Sequence, residues 1–228
     1  MTDDFLLEVR QRCRGAAVWG LDEQTDPSAL RKPRARSRAC AAVVEVAEFV
    51  AQQVLGAAEA HELPACAARC HFCCYATVTV THPEVQLIAQ FLVDTQQTES
   101  LRPLLTRLED HSRSGESLEL TERFARGLAC PLLDAASGAC TIYEARPLRC
   151  RGANSLSAAR CEDSCRGTTN DVDVNALLFD VFAEGTRGLT EAFAERGERL
   201  TPGTLGTLLA AELRAHLESG EREPAEED

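Results

Sequence analysis

The sequence predicts a mainly α-helical fold in which helices surround an irregular, cysteine-rich core containing at most a short strand or hairpin. Three observations predict this fold class. Apolar residues recur at helical spacing over both ends of the chain. Residues 130–165 lack such a period, and nine of the eleven cysteines fall in two short windows, 66–74 and 130–165. With 228 residues, the chain is long enough to bury a core without help from a metal ion.

Two helices are predicted in the first third of the chain. Residues 3–19 place apolar side chains near one face of a short amphipathic helix. A loop containing Asp26-Pro27 follows, and the basic run 31–38 then leads into a long helix that ends near Leu63-Pro64. The buried face of this second helix is marked by four valines at helical spacing: Val43, Val46, Val50 and Val54.

The segment after the first cysteine window is predicted to begin with a strand, because residues 77–80 alternate polar and apolar side chains. Thr81 and Glu84 have the spacing of a capping box, which predicts a helix from there to about residue 96. One further helix, or a pair, is predicted over 99–127, with a break near Ser114-Gly115.

Two more helices are predicted in the last third of the chain. Strong apolar periodicity over 171–196 predicts the first, and Thr201-Pro202 is expected to cap the second, which ends near Leu217. Residues 218–228 contain six acidic residues and one arginine, and we predict that they form a disordered tail.

The composition limits the cellular location and the classes of binding partner that we expect. The net charge is −12 and aromatic residues make up 5%, which argues against a nucleic-acid interface built on charge or base stacking. The N-terminus is charged, and no run approaches the roughly 18 apolar residues of a membrane span. We expect a single helical domain, 1–217, in the cytoplasm, with a cysteine cluster domain at about 63–165 and no membrane contact. A protein partner is left open.

The two cysteine windows have spacings that keep sulfur atoms close together. The first window has the pattern Cys66-x3-Cys70-x2-Cys73-Cys74. A helix would place these four side chains within an arc of about 100°, and a tight loop would also hold them together. The second window contains Cys130, Cys140 and Cys150, each separated by nine residues, and then Cys161 and Cys165 at i,i+4 spacing.

Clustered thiols in a reducing compartment indicate metal or redox chemistry more often than disulfides. One tetrahedral zinc takes four ligands, and the adjacent Cys73 and Cys74 cannot easily both bind it. Nine thiols therefore indicate a polynuclear centre, two sites, or one site with additional redox thiols. Cys161 and Cys165 belong to the candidate ligands, although other roles fit their spacing equally well. Cys13 and Cys40 stand apart and are expected to be buried and inert.

The cysteine windows resemble the YkgJ-like cysteine cluster family, a zinc- or iron-chelating domain. The resemblance rests on the adjacent Cys73-Cys74 pair, the Cys-Pro-Leu-Leu that starts at Cys130, and an Ile-Tyr-x-x-Arg-Pro-x-x-Cys-Arg motif, and it covers about 63–165. It implies metal binding at Cys66, Cys70, Cys73, Cys74, Cys130, Cys140 and Cys150. It also favours a supporting role beside the thiolates for Tyr143, Arg146 and Arg151, the alternative being an ordinary ion pair, for example with Glu144.

Three classes of function are compatible with these patterns. The first is a metal-binding protein with a structural, redox or carrier role. An iron–sulfur cluster, or iron in another form, is favoured there because thiols are in surplus, and zinc is the alternative. The second is a metal-dependent redox enzyme, or a protein methyltransferase like the flagellin lysine N-methylase branch of the family, so enzymatic activity is left open. The third is a helical interaction module with a structural zinc. A shared centre requires the two windows to converge although 55 residues separate Cys74 from Cys130.

Overall fold

The computed structural model describes residues 2–22, 32–67 and 69–220, and within these ranges the fold is mainly helical, as the sequence predicts. Three predicted features lie wholly or partly outside the described residues. They are the loop at Asp26-Pro27, the first residue of the basic run, and residues 221–228 of the acidic tail.

The described residues form nine α-helices joined by short connections. These are α1 (Thr2–Asp22), α2 (Pro33–Ala57), α3 (His82–Thr95), α4 (Thr98–Gly115), α5 (Leu120–Ala125), α6 (Leu148–Gly152), α7 (Ala158–Arg166), α8 (Ala176–Ala194) and α9 (Leu205–Gly220). Two antiparallel sheets of two strands each accompany them: β1 (Thr79–Val80) pairs with β4 (Gly203–Thr204), and β2 (Leu133–Asp134) with β3 (Ala139–Cys140). Three short 3-10 helices cover Ala60–Glu62, Phe72–Tyr75 and Tyr143–Ala145.

The predicted helices are present, but several of their ends differ from the predictions. Helix α2 ends at Ala57 rather than near Leu63-Pro64, and a separate 3-10 helix, Ala60–Glu62, follows it. The region predicted as one helix or a pair over 99–127 is the pair α4 and α5, which is interrupted after Gly115. Helix α8 begins at Ala176 rather than at 171, because the Asn175 side chain caps it by accepting a hydrogen bond from the Leu178 amide at 2.9 Å.

The C-terminal helix and the second cysteine window differ from their predictions. Helix α9 begins at Leu205, not directly after Pro202, because Gly203–Thr204 pairs with β1. It extends to Gly220, so residues 218–220 are helical rather than the start of a disordered tail. Residues 130–165 are more regular than predicted, since they contain the β2–β3 hairpin and the helices α6 and α7.

Two apolar cores hold the helices together. The first core joins α1, α2 and α8 with Leu148 of α6, and it buries Cys13 and Cys40, as the sequence predicts for these two thiols. The second core joins α3, α4 and α9 with Val80 of β1 and with Leu132 and Ile142 of the cysteine-rich segment. Helix α2 packs against α3, which connects the two cores.

Glu84 links helix α3 to helix α6 from a buried position. Its Oε2 accepts hydrogen bonds from the backbone N and the Oγ1 of Thr81, both at 2.8 Å, which completes the predicted capping box. Its Oε1 accepts a hydrogen bond from the backbone N of Leu148 at 3.1 Å. Because Leu148 is the first residue of α6, this carboxylate positions the short helix that carries Cys150.

Helix α2 is long and apolar enough, by length and composition, to cross a membrane. The prediction that no segment approaches such a span is therefore not supported for this helix. The core helix of a soluble protein passes the same test, and α2 packs against α1, α3 and α8.

Candidate metal centre

The first cysteine window is a tight loop that ends in a 3-10 helix rather than an α-helix. Arg69 adopts the left-handed conformation, with φ 73°, and the Cys70 amide donates to the Ala67 carbonyl at 3.0 Å. The backbone then enters the 3-10 helix Phe72–Tyr75, which carries Cys73 and Cys74. His71 contacts the Arg69 carbonyl through Nδ1 at 3.0 Å and stacks on Phe72.

The second cysteine window meets the first through a direct backbone hydrogen bond. The Cys130 amide donates to the Cys74 carbonyl at 2.8 Å. Cys140 lies in β3, opposite Leu133 of β2, and Cys150 lies in α6. The predicted convergence of the two windows is thus confirmed at the level of the backbone.

Cysteines from both windows line one cavity of about 750 Å³. Its wall includes six of the nine candidate ligands: Cys70, Cys73, Cys74, Cys130, Cys140 and Cys150. The other three candidates, Cys66, Cys161 and Cys165, are not part of this wall. Thiols that are distant in sequence therefore line a common cavity.

The three remaining candidates lie outside this wall but near the first window, since burial raises the pKa of Cys66 and the charges of Cys70, Cys161 and Cys73 add to this effect. Helix α7, which carries Cys161 and Cys165, packs against the 3-10 helix Phe72–Tyr75. The buried Cys165 thiol donates a hydrogen bond to the Phe72 carbonyl at 3.6 Å. The Cys66 thiol lies 3.9 Å from the carbonyl oxygen of Ser155. These contacts fasten α7 and the segment around Ser155 to the first window.

A family model described as "Putative zinc- or iron-chelating domain", and named for the pattern CxxCxxCC, matches residues 65–172. The match covers 108 of the 228 residues, so the cysteine-rich segment is similar to this family. The match agrees with the predicted resemblance and with its predicted extent, 63–165. The pattern here has three residues, not two, between Cys66 and Cys70, and the left-handed Arg69 lies in that longer interval. No curated protein and no solved structure matches the chain.

The thiols of Cys73 and Cys74 are hydrogen-bonded to each other. A hydrogen bond from the Cys74 thiol lowers the pKa of Cys73 to about 6, and the positive charges of Arg146 and His71 act in the same direction. The same hydrogen bond raises the pKa of Cys74, and burial adds to this effect. Of the two thiols, Cys73 is therefore the one that ionises more readily, and the thiolate is the form that binds metal.

Burial acts against ionisation at the other thiols of the cavity. It raises the pKa of Cys130 to about 11, and it also raises the pKa values of Cys70, Cys140 and Cys150. A metal ion must displace the protons of such thiols when it binds, so protons are released on metal binding.

The six thiols are of the type that binds thiophilic metals, but their sulfur atoms do not surround one common position. Six thiols on one wall are the ligands that zinc and iron–sulfur clusters take. Within residues 2–22, 32–67 and 69–220, no three His, Cys, Asp or Glu groups stand close enough together to hold a metal ion. Metal binding therefore requires the thiols to turn toward a common position.

Two of the three residues predicted to support the thiolates line the cavity, and the third does not. Tyr143 and Arg146 are on the wall, with the Arg146 guanidinium 3.9 Å from the centroid of the Tyr143 ring. Arg151 instead forms an ion pair with Glu48 and donates to the backbone carbonyls of Glu144 and Arg146. Arg151 thus holds the loop that carries Arg146 in place. The ordinary ion pair expected as the alternative role of Arg151 is present, but its partner is Glu48 and not the side chain of Glu144.

Sequence reasoning missed a buried cation behind the cavity. Arg123 of α5 is 2% exposed and donates to Thr77 Oγ1 at 3.0 Å, to the Gly115 carbonyl at 3.1 Å and to His111 Nε2 at 3.0 Å. It has no carboxylate partner among the described residues. Its charge favours the thiolate of Cys130, against the effect of burial. An arginine on a short amphipathic helix gives no sequence signal that distinguishes it from a surface residue.

Proposed function

We propose that the chelating domain binds an iron centre, as an iron–sulfur cluster, through cysteines of the 750 Å³ cavity, and that this centre has a redox, structural or carrier role. The observation that carries the proposal is the meeting of both cysteine windows at one cavity. The Cys130–Cys74 backbone hydrogen bond and the six thiols of the wall support a single shared centre.

The number of thiols favours a cluster over one zinc ion. A mononuclear zinc site takes four ligands, whereas six thiols face this cavity. Adjacent Cys73 and Cys74 suit two metal positions better than one, because neighbouring residues rarely bind the same tetrahedral ion. Iron–sulfur clusters offer several iron positions for cysteine ligands.

The residues around the cavity have separate roles in this proposal. Cys73 ionises more readily than Cys74, which favours Cys73 as the first of this pair to bind the metal. Arg146 and the buried Arg123 bring positive charge to the negatively charged thiolates from two sides. Glu84 holds α6, and with it Cys150, at the cavity. When bound, an iron–sulfur cluster supplies one-electron transfer whose potential depends on such charges and hydrogen bonds.

A cytoplasmic location is part of the proposal. All eleven cysteines are free thiols, which suits a reducing compartment. No observation favours the methyltransferase or the interaction module over a simple metal-binding role.

Metal analysis of anaerobically purified full-length protein tests the identity of the centre. We expect iron and acid-labile sulfide in stoichiometric amounts, broad visible absorption, and an EPR signal in one oxidation state. Two zinc ions per chain without iron under the same conditions would refute the iron proposal and leave zinc chelation in its place.

A further inference from the structure

The wall of the cavity is positively charged, although the protein as a whole is acidic. The chain carries a net charge of −12, yet the wall of the 750 Å³ cavity includes three arginines and no aspartate or glutamate. The three are Arg69, Arg146 and Arg149. A positive cavity in an acidic protein attracts anions and concentrates them there.

These arginines are not neutralised by carboxylates. None of the three forms an ion pair in the part of the chain that the structure describes. Arg146 is held in place by the Tyr143 ring and by a hydrogen bond from its Nε to the Tyr143 carbonyl at 3.2 Å.

The metal centre does not account for all of this positive charge. Two guanidinium groups, those of Arg123 and Arg146, favour thiolates in the cavity. Arg69 and Arg149 remain on the wall as cations available to another anion.

The cavity has the size and the lining of a small-molecule site. Its volume, about 750 Å³, lies within the range of roughly 300–1,000 Å³ that is typical of ligand pockets. Metal–sulfur bonds are only about 2.3 Å long, so a metal and its thiolates leave part of this space open. Apolar side chains, among them Leu133, Ile142 and Phe179, form much of the wall.

We propose that this cavity binds a small organic anion, a carboxylate or phosphate attached to an apolar body, beside the metal centre. The guanidinium groups of Arg69 and Arg149 receive the anionic group, since their planar donors match the oxygens of carboxylates and phosphates. The apolar wall receives the body of the ligand. This inference rests on the proposed function for the position of the metal, but the arginines and the apolar wall do not depend on which metal is bound.

Calorimetric titration of the full chain with simple probes tests the proposal. The probes are hexanoate, hexyl phosphate, inorganic phosphate and hexanamide, the last being a neutral compound of nearly the same shape as hexanoate. We expect hexanoate and hexyl phosphate to bind, and hexanamide to bind about ten-fold more weakly or worse, because it lacks the charge-assisted hydrogen bonds. Arg69→Gln and Arg149→Gln should each weaken hexanoate binding about ten-fold. The matched control is Arg107→Gln, an exposed arginine of α4 outside the cavity wall, which should bind hexanoate like the wild type.

Several outcomes would overturn the inference. Equal affinity for hexanoate and hexanamide would show that the charge plays no part. Unchanged hexanoate binding in both cavity variants would show that the anion binds elsewhere. Equal affinity for inorganic phosphate and hexyl phosphate would show that the apolar wall does not contribute to binding.

Metal content is measured on every sample, so the two proposals can fail separately. Selective hexanoate binding in a protein that takes up no metal would refute the proposed function and leave the anion site standing. Normal metal content without selective hexanoate binding would refute the anion site and leave the proposed metal centre standing.

Discussion

Gly188 of helix α8 allows α1 and α8 to pack closely, and replacing it with alanine should destabilise the protein. A Cβ at this position would lie 2.7 Å from the carbonyl oxygen of Arg10 and 2.8 Å from the amide nitrogen of Arg14. Both are backbone atoms of α1, so no side-chain rotation can relieve the contact, and the whole helix must move.

The expected size of the effect follows from two opposing contributions. The shorter contact is 0.7 Å inside the 3.4 Å at which ordinary van der Waals contact begins. Overpacking of this kind costs about 1–3 kcal/mol and occasionally more, whereas alanine gains about 1 kcal/mol over glycine in a helix. Because the contact involves the backbone, we expect a net loss of about 2 kcal/mol, which lowers Tm by about 4–8 °C in a chain of this length.

Gly15→Ala provides the matched control, because it makes the same chemical change in α1 at an exposed site where a Cβ would meet nothing within 4 Å. That variant should be stabilised by up to about 1 kcal/mol. Circular dichroism and the fluorescence of Trp19, the single tryptophan, which lies on α1, would both follow unfolding. Equal stability of Gly188→Ala and Gly15→Ala would refute the close packing of α1 on α8.

Three further predictions concern the metal centre and its support. Removal of the metal by a chelator should lower Tm in a melting experiment, because the proposed shared centre joins two segments that are distant in sequence; an unchanged Tm after verified removal would argue against this. Arg123→Met should weaken metal affinity about 10–100-fold in a competition titration while the far-ultraviolet spectrum stays the same, whereas full affinity would mean that the buried charge does not act on the centre. Burial raises the pKa of Glu84, so the folded state holds this proton more tightly than the unfolded state, and the free energy of unfolding should fall as the pH rises from about 4.5. Glu84→Gln should flatten this part of the pH dependence in urea titrations, and an unchanged slope would contradict the assignment.

The features that the sequence predicts well depend on neighbours within a few residues. The capping box of Thr81 and Glu84 is defined by spacing alone, and both of its hydrogen bonds are present. The cysteine windows are recognisable for the same reason, since short spacings already bring sulfur atoms together.

The features that it misses depend on tertiary contacts. Strand β4 consists of only Gly203 and Thr204. Their sequence alone does not distinguish them from a helix cap, and only their pairing with β1 makes them a strand. The burial of Arg123 requires α5 to pack beside Thr77, and the separation of Cys165 from the cavity follows from the packing of α7. Such positions are set by the arrangement of elements that are distant in the chain, which periodicity does not encode.

The shared centre is tested most directly by the metal content of three matched alanine variants purified anaerobically. Cys73→Ala removes a thiol from the first window, Cys140→Ala removes one from the second, and Cys13→Ala removes a thiol buried in the first apolar core. We predict that Cys73→Ala and Cys140→Ala both lose the metal or bind it much more weakly, while Cys13→Ala keeps the wild-type amount. Full metal content in either window variant would contradict a centre that both windows hold in common.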